Sequence, residues 1–466
     1  MSQLLPAAEM RNDIHIPVLI IGAGACGLVA ALAVKAQGQD VIVLERDHTP
    51  TGSTSLSSGF VPAANTRFQH GIGITDDTPE QFAMDILAKS HHQADPLEAI
   101  RVARAIGPAL EFLSEAHAIP FEVLQGFRYP GHSRLRMHAV PEHTGAALLA
   151  RLLAAAQAAE IEILTDAQAT ALFADTDSRI HGVRVTRPDG EQEDISCDAL
   201  ILACNGYGGA PDLIRRLIPE MAEALYFGHT GNQGDALLWG QALGADTRDL
   251  GAYQGHGAVA HPHGVLITWA LLMEGGIQVN TTGQRFWNEH EGYSEAAVAV
   301  LAQPGGIAWN IFDTRLHDLG MTFDDYRQAQ AIGAIRTAES ITELALQTGL
   351  PPDTLAVTLS EASTLADTKA TDRFGRVFTT PPLQPPYFAV RVTGALFHTQ
   401  GGLRVDDEAR VLRPDGTPLP NLFAGGGAAR GVSGPTVEGY LSGNGLLTAI
   451  AYGRLAGTAA ARLCGT

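Results

Sequence analysis

The run from Pro17 to Asp47, PVLIIGAGACGLVAALAVKAQGQDVIVLERD, limits the fold of this chain more than any other stretch. Val18 to Ile21 are apolar and largely β-branched, which predicts a buried parallel strand, and they lead straight into Gly22-Ala23-Gly24-Ala25-x-Gly27. Gly22 permits the tight turn, Gly24 lets backbone approach a pyrophosphate, and Gly27 lets the next helix, Leu28 to Gln37, pack close to the sheet. A second strand, Val41 to Leu44, ends in Glu45 and Arg46, where an acidic side chain meets a ribose hydroxyl. Three glycines alone are a weak signal. Strand, glycines, helix, strand and acid in this order predict a dinucleotide site, the alternative being a βαβ unit without a ligand.

A chain of 466 residues has room for two or three domains. Its formal charge of −19 argues against nucleic acid and anionic membrane surfaces as partners, since a polyanion would be repelled. No apolar run is long enough for a membrane span. Residues 1–17 lack the basic start and apolar core of a secretory signal, so a cytoplasmic location is expected. Cys26, Cys197, Cys204 and Cys464 have neither CxxC nor zinc-ligand spacing, which predicts incidental thiols, no metal and no redox disulfide.

Further along, residues 48–69 are rich in small and hydroxylated side chains. Ser53, Thr54, Ser58 and Gly59 suit a loop lying against a flat cofactor, or else a mobile surface loop. Residues 79–118 carry apolar positions at helical spacing. The segment from Phe127 to Gly145 then gathers Arg128, Tyr129, His132, Arg134, Arg136 and His138 between prolines and glycines, either to reach a substrate or as a solvated basic connector. A helix, a strand and a hairpin-like excursion with an Asp-Gly turn follow. They close on DALILACNGYGG, Asp198 to Gly209, a strand that returns to the parallel sheet and brings Asn205 and Gly206 near the cofactor.

These motifs are followed, in order, by TGNQGDALLWGQALGA from Thr230, GQRFWNE from Gly283, HTQGGLRVD from His398 and SGNGLLTAIAYGRLAG from Ser442. Taken together, the chain resembles the fumarate reductase and succinate dehydrogenase flavoprotein superfamily, whose soluble branches include the 3-ketosteroid dehydrogenases. The resemblance implies an α/β fold: a Rossmann-like FAD-binding domain of the glutathione-reductase type in two segments, 1–256 and 391–466. An α+β capping domain, 257–390, is inserted between them. It implies FAD, held without a covalent bond because the loop GSTSLSSG has no histidine to attach it. Gly426 lies in a glycine cluster suited to close flavin approach, and Ser442, Gly443, Asn444, Gly445, Leu446 and Leu447 open a helix whose N–H groups suit negative charge on the flavin.

Fumarate reductases of this superfamily hold a dicarboxylate with two arginines, one after the RF-x-NE motif and one before the turn that opens the last helix. Here those positions are Tyr293 and Tyr440. Tyrosine at both resembles the ketosteroid dehydrogenases, where one phenol takes a proton beside a carbonyl and another hydrogen-bonds the carbonyl oxygen. Either tyrosine can also be an ordinary packing residue. His398 reads as an active-site histidine, and His261 and Thr268 resemble positions that touch a substrate carboxylate, His261 being equally readable as a loop histidine. Glu289 and Arg285 read as a local pair that fixes the cap. Tyr129, His132, Arg134 and Arg136 are the candidate substrate contacts of the basic loop, where arginines would bind one carboxylate of a small oxo-acid.

The expected function is an FAD-dependent dehydrogenase, of the kind acting on CH–CH groups, that desaturates a cyclic ketone next to its carbonyl. Two alternatives stay open: an enoate reductase anchored by Arg134 or Arg136, and a flavoprotein without catalysis. A small molecule is the expected partner. With a single dinucleotide fingerprint, the electron acceptor stays open among oxygen, a quinone and a carrier protein.

Overall fold

The computed structural model describes residues 3–11, 14–126 and 128–465; Phe127, which opens the basic loop, lies outside them. The chain divides into two compact units. One contains the residues up to Ile218, Gly228–Tyr253 and those from His398 onward; the other contains Pro219–Phe227 and Gln254–Phe397.

The first unit is built on a nine-stranded sheet. Among its parallel strands are β1 (Ile14–Ile21), β2 (Val41–Leu44), β3 (Gln192–Leu202) and β4 (Pro418–Ala424). Ile21 pairs with Leu44 and Leu202, and Leu202 with Ala424, so four strand ends lie level. Their loops share the carboxyl edge of the sheet, where α/β folds bind ligands. The expected excursion before β3 is present as antiparallel strands Gln168–Ala174 and Ile180–Thr186. Helix α1 (Ala25–Ala36) starts earlier than its apolar periodicity indicates, because the Thr54 hydroxyl accepts the Ala25 N–H at 3.0 Å. The last helix, α2 (Asn444–Cys464), lies against α1. A Cβ on Gly453 would stand 2.5 Å from the Cys26 carbonyl oxygen, and one on Gly457 2.2 Å from that of Ala30, so this approach requires glycine at both.

The second unit has a seven-stranded sheet centred on Tyr387–Thr399, whose residues up to Phe397 belong to this unit. Residues 219–227 join it because Leu225 and Tyr226 pair in parallel with Ala395 and Leu396. Helix Tyr293–Leu301 packs on strand Tyr253–Ala260, where a Cβ on Gly257 would fall 2.3 Å from that of Ala296. Among the described residues, no helix is long and apolar enough to cross a membrane.

Candidate functional site

In the first unit, the glycine turn and the loop after β2 are tied together by Glu45. One carboxylate oxygen accepts the Ala23 N–H at 3.0 Å and the other accepts the Asp47 N–H at 3.1 Å. Arg46 hydrogen-bonds the Gly231 carbonyl. Ser53 receives the side-chain amides of Asn205 at 2.8 Å and Asn232 at 3.2 Å, and Asn205 also accepts the Gly206 N–H. Gly59 is buried in the left-handed region and Ser58 is exposed. Gly426, also left-handed, lies over Cys26 at the start of α1.

Both α1 and α2 begin at glycine caps, Gly24 and Gly443, that make no side-chain cap bond. Apart from the Ala25 N–H, which Thr54 accepts, their first-turn N–H groups offer two anion-favouring ends within one unit. A Cβ on Gly24 would meet only the Thr54 hydroxyl at 3.5 Å, leaving room for a ligand against the backbone. The buried Oδ1 of Asn444 has no hydrogen-bond partner among the described residues, as an acceptor awaiting a ligand donor would. Residues 22–25 fit a pyrophosphate, and Gly443, Asn444, Gly445, Leu446 and the buried Leu447 fit a flavin edge.

The basic loop folds against this end of α2. His132 is buried and its Nε2 lies 3.0 Å from the Ser442 carbonyl oxygen. Tyr129 is half-buried and meets Phe60 edge-on, Arg128 is exposed, and Arg134 is paired at the surface with Asp76 at 2.8 Å. The expectation that Arg136 contacts substrate is corrected here. Its guanidinium is fully buried, doubly bonded to Asp77 at 2.6 and 2.8 Å and paired with Asp85, over the ring of Phe82. Burial acts to raise the pKa of Asp85, but the hydrogen bonds from Arg136 and Ser133 outweigh it and hold the group below its ordinary value. An arginine neutralised in this way holds the loop rather than a ligand.

Tyr440 is buried and its ring meets that of His398 at 5.7 Å and 72°. His398 stands over the first turn of α2, with Nε2 2.8 Å from where a Gly445 Cβ would be. Burial pushes its pKa down to about 4, so the ring is neutral at physiological pH.

In the second unit, Tyr293 is the first residue of its helix and stacks on His256, with ring centroids 5.0 Å apart and planes 22° apart. His256 stacks in turn on Phe397 at 5.4 Å, and Phe397 on Phe227 at 4.8 Å. Of the two readings of His261, its position matches the loop histidine. It is exposed at the hairpin turn after strand Tyr253–Ala260, held through its backbone to Arg391. Thr268 is half-buried and its hydroxyl accepts the Ala270 N–H at 3.4 Å. The histidine beside Tyr293 is His256, which sequence reasoning missed. The available signal was Gly255-His256-Gly257: glycines on both sides of a strand histidine mark a surface that another element approaches closely.

Behind this column Glu289 is fully buried between Arg285, at 2.9 Å from its Nε, and Arg376, at 3.0 Å. Burial would raise its pKa, but both guanidiniums and the Gln278 N–H hold it down at about 2. Its backbone carbonyl accepts the Trp269 indole N–H at 3.2 Å, and Trp269 meets His256 edge-on. Arg285 and Glu289 thus pair locally, as expected.

Parallel strands ending level at one carboxyl edge, with the glycine-capped N-termini of α1 and α2 in the same unit, are the arrangement of a dinucleotide-binding protein. The chain belongs to the FAD binding domain family, whose profile matches residues 17–446, and its cofactor is FAD. It is 27% identical over 468 residues to an NADH:fumarate oxidoreductase of Klebsiella pneumoniae, covering 99% of this chain and 49% of that protein, so it spans about half of that relative's length. It is 28% identical over 451 residues to a probable fumarate reductase of Shewanella frigidimarina, covering 96% of this chain and 74% of the relative. A 4-oxocyclohexanecarboxylate 2-dehydrogenase of Sinomonas cyclohexanicum is 25% identical over 509 residues, covering 88% and 87%. Among solved structures, the open conformation of a flavocytochrome c3 fumarate reductase superposes with a TM-score of 0.83 at 27% identity, over 98% of this chain and 80% of that one. A 3-ketosteroid dehydrogenase from Rhodococcus jostii shares the fold, with a TM-score of 0.77 at 24% identity, over 98% and 99%. The superfamily resemblance drawn from the motifs therefore holds.

Proposed function

We propose that this protein is an FAD-dependent oxidoreductase that introduces a C=C bond α,β to the carbonyl of a cyclic ketone. The observation that carries the reading is the column of rings ending at Tyr293, in the place where a dicarboxylate reductase would need a guanidinium. Three arginines do not make good that loss: Arg285 and Arg376 are spent on Glu289, and Arg136 on Asp77 and Asp85. The relative named for dehydrogenating 4-oxocyclohexanecarboxylate supports this choice of substrate class.

In this reading Tyr293 removes the α-proton. A phenol near pKa 10 is a poor base at neutral pH, and the helix that begins at Tyr293 assists it, because positive potential at a helix N-terminus favours phenolate. Tyr440 and neutral His398 donate hydrogen bonds to the carbonyl oxygen as enolate charge develops. Bound FAD supplies the two-electron acceptor for hydride leaving the β-carbon. Residues 22–25, Glu45, Ser53 and Asn205 would hold the FAD, without a covalent bond.

A second reading, an enoate reductase, is favoured by the names of the two fumarate-reducing relatives. Anaerobic stopped-flow separates the two. Oxidised holoprotein is mixed with cyclohexanone-type ketones and 4-oxocyclohexanecarboxylate, and reduced holoprotein with fumarate and other unsaturated acids. Bleaching of the flavin by a cyclic ketone is the expected result. Reoxidation by unsaturated acids with no bleaching by any ketone would replace the first reading with the second, and a flavin inert to both would leave a protein without this chemistry.

A further inference from the structure

His398 is one end of a chain of side-chain hydrogen bonds within the first unit. Asn444 Nδ2 lies 3.1 Å from Ser433 Oγ, Ser433 Oγ 2.9 Å from Gln400 Oε1, and Gln400 Nε2 3.0 Å from His398 Nδ1. Asn444, Ser433 and Gln400 are buried, so water does not compete for these bonds.

Each link has a direction. The Asn444 amide nitrogen can only donate, so Ser433 accepts there and has its own proton free for Gln400. An amide oxygen can only accept, so Gln400 Oε1 takes that proton and turns its N–H groups toward His398. A neutral imidazole that accepts at Nδ1 carries its proton at Nε2. The reverse polarity, with Asn444 Oδ1 accepting from Ser433, needs both amides turned over and gives Nδ1–H to Gln400. The Thr399 carbonyl, 3.4 Å from Nδ1, would favour that state only weakly at such a distance. The observed placement leaves Asn444 Oδ1 as the unpartnered atom, at the helix end that fits a ligand donor.

We infer that Gln400 and Ser433 are positioning residues that set His398 in its Nε2–H tautomer, making it a neutral donor at the first turn of α2. The inference rests on the proposed function only in saying what that donor is for: it meets the carbonyl oxygen of the ketone. A histidine with the opposite tautomer would turn a lone pair toward that oxygen and repel the enolate.

The test is ¹⁵N NMR of histidine-labelled, FAD-loaded protein, with the His398 signals identified by their absence in His398→Gln. The wild type is expected to give the Nε2–H pattern. In Gln400→Glu a carboxylate faces Nδ1 and cannot donate, so the proton is expected to move to Nδ1. In Ser433→Ala the amide of Gln400 loses its clamp, and a mixture of tautomers is expected. Retained flavin absorbance establishes that each variant is folded. Ketone-driven flavin reduction in Gln400→Glu should fall about tenfold or more in kcat, with KM within about twofold. An Nδ1–H pattern in the wild type, or one unchanged in both variants, would overturn the inference. A tautomer that moves as expected in a protein that no ketone reduces would uphold the relay and remove the proposed function instead.

Discussion

The imidazole of His256 lies parallel to the phenol of Tyr293, with 5.0 Å between ring centres and 22° between planes. Its Nδ1 accepts the Ala258 N–H at 3.1 Å, and burial pushes its pKa down to about 3, so the ring next to the proposed base is neutral and carries its proton at Nε2. Nothing in that stack takes the place of the phenolic oxygen. Tyr293→Phe should keep the column, the fold and bound FAD while lowering ketone-driven flavin reduction by more than about a hundredfold. Single-turnover bleaching at the wild-type rate would remove Tyr293 from the chemistry.

Arg136 gives a different expectation from the one its loop suggested. Its guanidinium has no exposed side-chain surface and is shared between Asp77 and Asp85. Arg136→Met would leave two carboxylates buried without their cation, a loss of about 3–5 kcal/mol. Urea unfolding measures it, and the folded fraction should keep the wild-type KM. Wild-type stability with a raised KM would return Arg136 to the substrate.

These two residues show what the sequence made legible. The glycine turn, Glu45 and α1 could be read because their interactions are local and their periodicity distinguishes strand from helix. The glycines that admit α2 to α1 follow the same logic of close approach. Arg136 could not be placed, since its partners stand 51 and 59 residues away and an arginine-rich loop has the same composition whether it is solvated or paired inside. His256 went unread beside His261 because a motif resemblance fixes position only to within a few residues. On a strand that leads into a turn, those few residues separate a buried ring from an exposed one.

Acid should destabilise the protein through its buried histidines. His132, His138 and His398 are held near pKa 4, and His256 near 3, in each case mainly by burial. The unfolded chain protonates them near 6.5, so as pH falls below that value it binds protons that the folded state refuses, and stability drops. Glu98 opposes this, because burial raises it to about 7 and folding therefore gains from acid between about 4.5 and 7. With His290, which burial also lowers to about 4, five groups outweigh one. Urea midpoints should be flat above pH 7 and fall from pH 6.5 toward 4, with a limiting slope of about 1.4 kcal/mol per pH unit for each titrating histidine. Constant stability over that window would mean that these rings are charged or solvated in the folded protein.

Glu289 tests whether the buried ion cluster of the second unit is structural. It joins Arg285 and Arg376 to the Gln278 backbone, while its own carbonyl holds Trp269 against His256. Glu289→Gln retains the shape but removes the charge, leaving two buried guanidiniums to share Asp372, which Arg285 already engages. The expected cost is about 3–5 kcal/mol, seen as an early loss of the second unit's tryptophan signal in urea. FAD, whose candidate ligands are all in the first unit, should stay bound under native conditions. Because the cluster reaches Tyr293 through Trp269 and His256, the rate of flavin reduction per folded molecule should fall far less than in Tyr293→Phe. A variant as stable as the wild type but as slow as Tyr293→Phe would mean that the Glu289 carboxylate takes part in the reaction itself.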